Sequence, residues 1–317
     1  MNTPNYCLKY LEDFLLHIQI NNYSLETLYN YERDLKTFEN FLKNEVKVPF
    51  EKITKKTIEL YKAYLVSHDR KTALNQKSKK DLTAGSINRI LSSLRRYLKY
   101  LIKMDHETPI APEAIELLRM GKKHPRVAGF KEIQKLIEFP TQFEKNKIVA
   151  LRNRAILETL FSTGMRISEL INLKKNQIDK TGKVFIKGKG KKERFVYLTP
   201  RAQKHIKGFL EVRGESSSPY LFLPYRGKSI HKKDKKISPN YLQEKVKKYR
   251  ELLGINIPVS CHSLRHAFAT YLAENGANPV AIQILLGHES LDTTTRYVHA
   301  SDRYAEKIHR KYHPLKE

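Results

Sequence analysis

Apolar residues recur at helical spacing through the first hundred residues. After Ser24, a suitable N-cap residue, steps of three and four residues separate Leu28, Tyr31, Leu35, Phe38 and Leu42. A second stripe, which begins after Thr54 or Thr57, contains Ile58, Tyr61 and Leu65. This spacing places each set on one face of a helix and predicts a helical first domain.

The clearest helical pattern spans Ser86–Met104. Its apolar stripe consists of Ile87, Ile90, Leu91, Leu94, Leu98 and Leu101. Its opposite face carries Asn88, Arg89, Ser92, Arg95, Arg96 and Lys99. Arginines among small polar groups suit contacts with phosphates and DNA grooves, but any solvated helix presents a charged face. The pattern alone leaves both interpretations open.

Polar and proline-containing segments divide the chain. The Lys-rich segment Lys71–Gly85 lacks periodicity and is predicted to be a loop. Residues 105–120 contain Pro109, Pro112 and a short helix candidate, Ile115–Met120, and the basic sequence GKKHPR follows. We therefore predict a helical domain at 1–106, a linker at 107–124 and a second domain at 125–317.

The second domain mixes helical patterns with a small amount of strand. Helices are predicted near 130–138 and 150–163, and after Pro200 except in loops at 214–219 and 225–236. Two short β-patterns, KVFI at 183–186 and FVYL at 195–198, predict strands, the first of them after a turn at 179–182. The predicted fold class is mainly α with a small β-sheet (α+β).

Composition narrows the function classes. The 317 residues include 60 Lys and Arg against 33 Asp and Glu, a formal charge of +27, and 40% are hydrophobic. This hydrophobic content excludes a disordered tail, and no apolar run approaches the ~20 residues that a membrane span needs. With no signal-peptide pattern and only two cysteines, the expected compartment is the cytoplasm. So large a positive charge favours a polyanionic partner, although a merely soluble basic surface is the alternative.

Four segments of the second domain carry candidate chemistry. In STGMRISELINL, a helix is predicted to start at Arg166 and to run through Leu173. Glu169 follows Arg166 by three residues and can reach back towards it on the same face. In GKGKKER, glycines flank Lys189 and leave its side chain unobstructed. Each segment by itself also fits a surface ion pair or an ordinary basic hairpin.

The other two segments lie further along the chain. In HSLRHAFAT, His262 and Arg265 are three residues apart and share a helical face, and no ligand spacing for zinc accompanies them. In LLGHES and TTTRYVH, His288 precedes Tyr297 by nine residues. A lone histidine or tyrosine is most often a packing residue, so these positions gain meaning only together.

Together the four segments suit phosphoryl transfer without a metal. Arginine forks bind phosphate oxygens bidentately and stabilise charge on the five-coordinate phosphorus. Tyrosine can act as a covalent nucleophile, and lysine or histidine can move protons. No clustered Asp/Glu set of the kind used by two-magnesium nucleases is present, and no cofactor is expected.

The four segments resemble, in order and spacing, the motifs of the tyrosine recombinases, the phage integrase superfamily, and especially their Xer branch. The resemblance covers almost the whole chain. It implies a two-domain clamp around duplex DNA, in which a helical core-binding domain precedes the tyrosine-recombinase catalytic domain. It also implies DNA contacts by the helix at 86–104, with Arg89, Arg95, Arg96 and Lys99 as candidates.

The resemblance also implies a role for each motif residue. Arg166 and Arg265 would hold the scissile phosphate, Lys189 would protonate the leaving 5′-hydroxyl, and Glu169 would support the first arginine. His262 would assist proton transfer, His288 would hydrogen-bond the phosphate, and Tyr297 would form a 3′-phosphotyrosyl link. Because that link conserves the energy of the broken bond, neither ATP nor metal would be needed.

Partners and biological role follow from the same resemblance. A short basic helix at 305–313 would dock on a neighbouring protomer and give a homo- or hetero-tetramer on double-stranded DNA. The compact length favours Xer-like resolution of chromosome dimers at a dif-like site, with an FtsK-type translocase as a candidate partner, and no membrane association is expected. The alternatives are an integrase or transposase of a mobile element, a type IB topoisomerase, and a non-catalytic DNA-binding architectural protein.

Overall fold

The computed structural model describes residues 6–67, 70–71, 73–74, 76, 81–121, 128–188, 193–227, 230 and 234–287. The chain divides into two compact units, Met1–Lys123 and His124–Glu317. The helices of the first unit are α1 (Leu11–Ile20), α2 (Leu25–Phe41), α3 (Lys55–Val66) and α4 (Ala84–Lys103). The domain limits predicted from sequence, 1–106, 107–124 and 125–317, stay a prediction.

Side-chain caps start α2, α3 and α4 of the first unit. The Ser24 hydroxyl accepts a hydrogen bond from the Thr27 amide at the start of α2, as the sequence predicts. Thr54 caps α3 and forms a capping box with Thr57, which resolves the choice between these two threonines. Thr83 caps α4, so this helix begins at Ala84, two residues before the predicted Ser86. The last two residues of the predicted loop, Ala84 and Gly85, are therefore helical.

The core of the first unit encloses one buried carboxylate. The apolar stripes of α1 to α4 pack together, and Phe14, Leu35, Tyr61 and Leu98 are fully buried. Asp34 of α2 is 1% exposed and bonds to two side chains of α4: it accepts from Ser93 Oγ at 2.8 Å and from Arg89 Nη1. This buried ionic contact ties α2 to α4.

The second unit is built around α7. Its helices are α5 (Phe130–Glu138), α6 (Pro140–Phe143), α7 (Lys147–Thr163), α8 (Ile167–Ile171), α9 (Pro200–Arg213), α10 (Pro239–Leu252), α11 (Cys261–Glu274) and α12 (Pro279–Leu286). Most of α7 is buried, including the polar residues Arg152, Asn153 and Glu158, because α6, α9 and α11 pack around it. Apolar residues from α5 to α11 and from the sheet form one core. Ile282 and Leu286 of α12 pack with Ala269 and Ala273 of α11 in a second, smaller cluster.

Two antiparallel strands form the sheet. Strand β1 (Lys183–Lys187) pairs with β2 (Glu193–Tyr197) in the register Lys183 with Tyr197 and Lys187 with Glu193. Side chains alternate across the ribbon, so Arg194 and Val196 are buried while Phe195 and Tyr197 are exposed. Compared with the predicted second strand, 195–198, β2 begins two residues earlier and ends one residue earlier.

Two other predicted elements differ from the structure. The predicted helix Ile115–Met120 does not form. A 3₁₀ turn at Pro112–Ala114 comes before it instead, and the chain that follows has no regular secondary structure. Asn88 holds this segment by bonding both backbone polar groups of Leu118. The helix predicted from Arg166 to Leu173 is shorter, since α8 ends at Ile171.

The fold class is confirmed as mainly α with a small sheet. The predicted helix at 305–313 lies outside the described residues. No helix in the described part of the chain has the length and apolar character to span a bilayer.

Candidate active site around the end of helix α12

A tight turn between α7 and α8 presents the first candidate arginine. Gly164 ends α7 in the left-handed conformation, with φ +61°, and Arg166 is the N-cap of α8. The Arg166 amide donates to Glu169 Oε2 at 2.7 Å, and Arg166 Nη1 donates to Glu169 Oε1 at 3.1 Å. The predicted contact therefore forms, and the same carboxylate caps α8.

Three arginines donate to three successive carbonyl groups at the end of α12. Arg194 Nε bonds to the Leu285 oxygen at 2.8 Å, Arg265 Nη2 to that of Leu286 at 2.7 Å, and Arg166 Nη2 to that of Gly287 at 3.4 Å. The last carbonyl groups of a helix have no partner within it and carry the negative end of its dipole. The end of α12 is thus a point at which three cations from α8, β2 and α11 converge.

Arg194 is the member of this group whose role sequence reasoning missed. Its Nη1 and Nη2 donate to the two oxygens of Glu169 at 2.9 and 2.8 Å, and the residue is 9% exposed. The available signal was its position two residues before Val196, because side chains two apart in a strand lie on the same face. The predicted strand began only at Phe195 and so left Arg194 outside it.

Helix α11 supplies Arg265 and two histidines. Ser260 caps this helix, and Arg265, only 3% exposed, also donates to the Gly164 oxygen at 2.7 Å. The rings of His262 and His266 meet edge to face, with centroids 4.4 Å apart.

The surroundings of both histidines favour the neutral ring. Part of the His262 ring reaches solvent, but the desolvation of the rest, and then Arg265 and Arg166, lower its pKa. Burial, and then His262 and Arg265, lower the pKa of His266 to about 4. A neutral His262 is in the protonation state that a proton acceptor requires.

Glu169 is the one carboxylate that touches this arginine group among the described residues. Burial by itself raises its pKa, but the hydrogen bonds from Arg194 and the Arg166 amide outweigh burial and hold its pKa below the ordinary value. The group therefore combines three guanidinium charges with one carboxylate and keeps an excess of positive charge. The side chain of Arg166, 34% exposed, is the most accessible of the three. An anion, such as a phosphate diester, is the ligand that this charge favours.

The structure brings together part of the predicted catalytic set. Arg166, Glu169, His262 and Arg265 lie around the end of α12, and their assigned roles stay predictions. Lys189, His288 and Tyr297 lie outside the described residues. In the chain, Lys189 falls between the two strands, and His288 directly follows Gly287.

The candidate DNA contacts lie on α4 of the first unit. Arg89 bonds to Asp34, Arg96 Nη2 donates to the Tyr23 hydroxyl at 3.3 Å, and Lys99 lies 3.4 Å from Glu113. The side chains of Arg89 and Lys99 are 44% and 56% exposed, so both remain accessible to a partner. DNA binding by these residues and by Arg95 stays a prediction.

Family models match both units of the chain. The model described as "Phage integrase family" matches residues 127–303, and "Phage integrase, N-terminal SAM-like domain" matches residues 11–104. The tyrosine recombinase XerC of Leptospira interrogans is 32% identical over 305 residues, which cover 95% of this chain and 92% of that protein. The tyrosine recombinase XerD of Staphylococcus aureus is 30% identical over 313 residues, which cover 96% and 98%.

Solved structures show a similar fold. The XerH site-specific recombinase bound to its difH substrate matches with a TM-score of 0.70 at 22% identity, over 93% of this chain and 82% of that one. The Tn1549 transposon integrase in complex with transposon right-end DNA matches with a TM-score of 0.69 at 16% identity, over 94% and 97%.

Proposed function

The chain belongs to the phage integrase family, and from this membership we propose how its own residues carry out recombination. It is a site-specific tyrosine recombinase, an enzyme that breaks and rejoins DNA strands. We propose Arg166, Lys189, His262, Arg265, His288 and Tyr297 as its catalytic set.

In the proposed cleavage step, the Tyr297 oxygen attacks the scissile phosphorus. A phosphorus–tyrosine bond forms while the bond from phosphorus to the 5′-oxygen breaks. His262 assists removal of the tyrosine proton, and Lys189 donates a proton to the leaving 5′-oxygen. In the rejoining step, a 5′-hydroxyl attacks the phosphotyrosine and releases Tyr297, so the number of phosphodiester bonds is unchanged.

The convergence of Arg166 and Arg265 on neighbouring carbonyl groups is the observation that carries this proposal. Backbone acceptors fix both guanidinium groups before any substrate arrives, and two fixed cations at one place stabilise the developing charge of a five-coordinate phosphorus. The lowered pKa of His262 supports its assignment to proton transfer. His288 is assigned to the phosphate because it directly follows these carbonyl groups in the chain.

A trapping experiment tests the catalytic set. The target is first identified by recovering and sequencing genomic DNA that is covalently attached to the protein. A duplex with this site, nicked close to the cleavage point so that the short fragment bearing the released 5′-hydroxyl diffuses away, should then accumulate a covalent adduct with the wild type. Tyr297→Phe should bind the duplex and give no adduct. Binding without adduct by the wild type would contradict the proposal, and relaxation of supercoiled plasmid without sequence preference would indicate a topoisomerase instead.

The proposed substrate is double-stranded DNA containing a dif-like site, and the proposed role is resolution of chromosome dimers in the cytoplasm. The XerC and XerD relatives, which match over almost their whole length, support this role. The recovered DNA tests it, because a single chromosomal locus is expected, whereas the ends of a mobile element would indicate the alternative. Dependence of recombination on an FtsK-type translocase is tested by deleting that partner in cells.

The proposed assembly is a tetramer held together on DNA by the C-terminal tail. Ala305, Ile308 and Tyr312 are spaced by three and four residues, which would place them on one helical face that can dock on a neighbouring protomer. The wild type should form a complex of four protomers on paired sites in a sizing experiment. A chain that ends at residue 300 should stop at complexes with one duplex, and a tetramer of that variant would contradict the role of the tail.

A further inference from the structure

We propose that Arg194 is a positioning residue for DNA cleavage. It pairs with Glu169, so that this carboxylate does not draw the Arg166 side chain away from the phosphate, and it fixes the end of α12 against α8. This inference rests on the proposed function and adds a residue outside the proposed catalytic set. Arg194 lies on β2, and its side chain is 7% exposed, so it acts on neighbouring protein groups.

The first role of Arg194 is to take up the charge of Glu169. A carboxylate with one guanidinium partner would form a bidentate pair with it. Here Arg194 occupies both oxygens at 2.8 and 2.9 Å, while the Arg166 side chain makes one bond, to Oε1. Because Glu169 is already paired, Arg166 retains donors and positive charge for a phosphate.

The second role is to hold the C-terminal end of α12. Arg194 Nε donates to the Leu285 oxygen at 2.8 Å. A Cβ atom built on Gly287, whose φ is +64°, would lie 3.0 Å from Arg194 Cδ, so a glycine at this position permits the close approach. One rigid side chain thereby fixes the distance between Glu169 and the helix end that His288 follows.

The third role follows from the place of Arg194 in the sheet. It pairs with Ile186 one step from the end of the ribbon, and the segment that contains Lys189 joins the two strands there. Arg194 thus connects the three parts of the chain that carry or directly precede Arg166, Lys189 and His288. Misplacement of a reacting group by about 1 Å can cost about 100-fold in rate, so loss of this connection should affect the cleavage rate more than DNA binding.

Lysine at position 194 tests the connection while it keeps the charge. An ammonium group is a point charge and cannot bond both Glu169 oxygens and the Leu285 carbonyl with the fixed geometry of a guanidinium. Arg194→Lys should form the covalent adduct about 100-fold more slowly in single turnover with saturating enzyme, with unchanged affinity for the duplex. The matched control is Arg201→Lys, since Arg201 bonds two carboxylates, Glu158 and Glu138, and makes no bond to Glu169 or α12. Its cleavage rate should equal that of the wild type.

A paired substitution separates positioning from simple loss of stability. Arg194→Met leaves Glu169 free to pair fully with Arg166, so this variant should be slow. Adding Glu169→Gln removes the competing charge, and the double variant should cleave at least about tenfold faster than Arg194→Met alone, a coupling typical of residues in contact. Thermal unfolding of each variant is measured in parallel, and Arg194→Lys provides the rate comparison if Arg194→Met does not fold.

The outcomes keep the two proposals apart. Absence of an adduct with the wild type contradicts the proposed function. A normal wild-type adduct together with an undiminished rate for Arg194→Lys overturns the role of Arg194 alone. A double variant that is no faster than Arg194→Met overturns the specific role of Glu169 as a competitor for Arg166.

Discussion

The backbone carbonyl of Gly164 accepts a 2.7 Å hydrogen bond from Arg265, which lies 101 residues further along the chain. Gly164 ends α7 in the left-handed conformation, and this turn directs its carbonyl group towards α11. The same turn brings Arg166 to the start of α8. One glycine therefore orients both arginines that we assign to the scissile phosphate.

Gly164→Ala should destabilise the second unit strongly. A Cβ atom at this position would lie 2.4 Å from a ring carbon of Phe268, in addition to the cost of about 1–2 kcal/mol for a side chain in the left-handed conformation. Gly254→Ala is the matched control, because its φ is +64° and nothing lies within 4 Å of its Cβ position. Urea unfolding should show a larger decrease in the free energy of unfolding for Gly164→Ala than for Gly254→Ala. Equal decreases would contradict the close approach to Phe268.

The protein should become less stable at acid pH because of His266. Its pKa is lowered from the ordinary 6.5 to about 4, so the unfolded chain binds the proton more readily than the folded one. The contribution of neutral His266 to the free energy of unfolding is fully present above pH 6.5 and is lost as the pH falls towards 4. The slope is at most about 1.4 kcal/mol per pH unit, and less because the ring is only partly buried.

The variant His266→Asn isolates this contribution. Among the described residues, the charged or titratable groups that lower the pKa of His266 are His262 and Arg265, and both remain in the variant. The difference in free energy of unfolding between wild type and variant should shrink as the pH is lowered from 7 to 4. A constant difference over this range would show that His266 does not titrate as described.

Arg95 and Arg96 should determine part of the salt dependence of DNA binding. Each contact with a phosphate contributes about 0.9 to the slope of log affinity against log salt concentration. Arg95→Ala with Arg96→Ala should therefore lower this slope by about 1.8 if each arginine binds one phosphate. Lys36→Ala, at an exposed site paired with Glu32 on α2, is the control and should leave the slope unchanged. An unchanged slope in the arginine variant would remove Arg95 and Arg96 from the DNA interface.

Asp34→Asn should destabilise the first unit. The carboxylate is buried and accepts hydrogen bonds from Ser93 and Arg89, and hydrogen bonds to charged groups contribute about 1.5–3 kcal/mol. Glu32→Gln on the same helix breaks only an exposed pair with Lys36 and should change the free energy of unfolding by less than about 1 kcal/mol. Denaturant unfolding measures the free energy of unfolding of both variants. If Asp34→Asn loses no more of this free energy than Glu32→Gln, the buried contact is not stabilising.

Local signals explain which elements could be predicted. The apolar stripes of α2, α3 and α4 and their caps at Ser24 and Thr54 depend on residues within a few positions of one another, so the sequence indicates them directly. The helix predicted at Ile115–Met120 was wrong for the same reason. Its local pattern was compatible with a helix, but the side chain of Asn88, 30 residues away, bonds both backbone polar groups of Leu118 in a segment without regular secondary structure.

The sequence by itself determined the family, the basic character of the surface and the residues that can perform phosphoryl transfer, because short motifs retain these properties. It did not reveal that Arg194 holds Glu169, or that Arg166, Arg194 and Arg265 meet at the carbonyl groups that end α12. These contacts join positions 21 to 121 residues apart. Their existence depends on how the helices and the strand pair pack, and no local spacing encodes that packing.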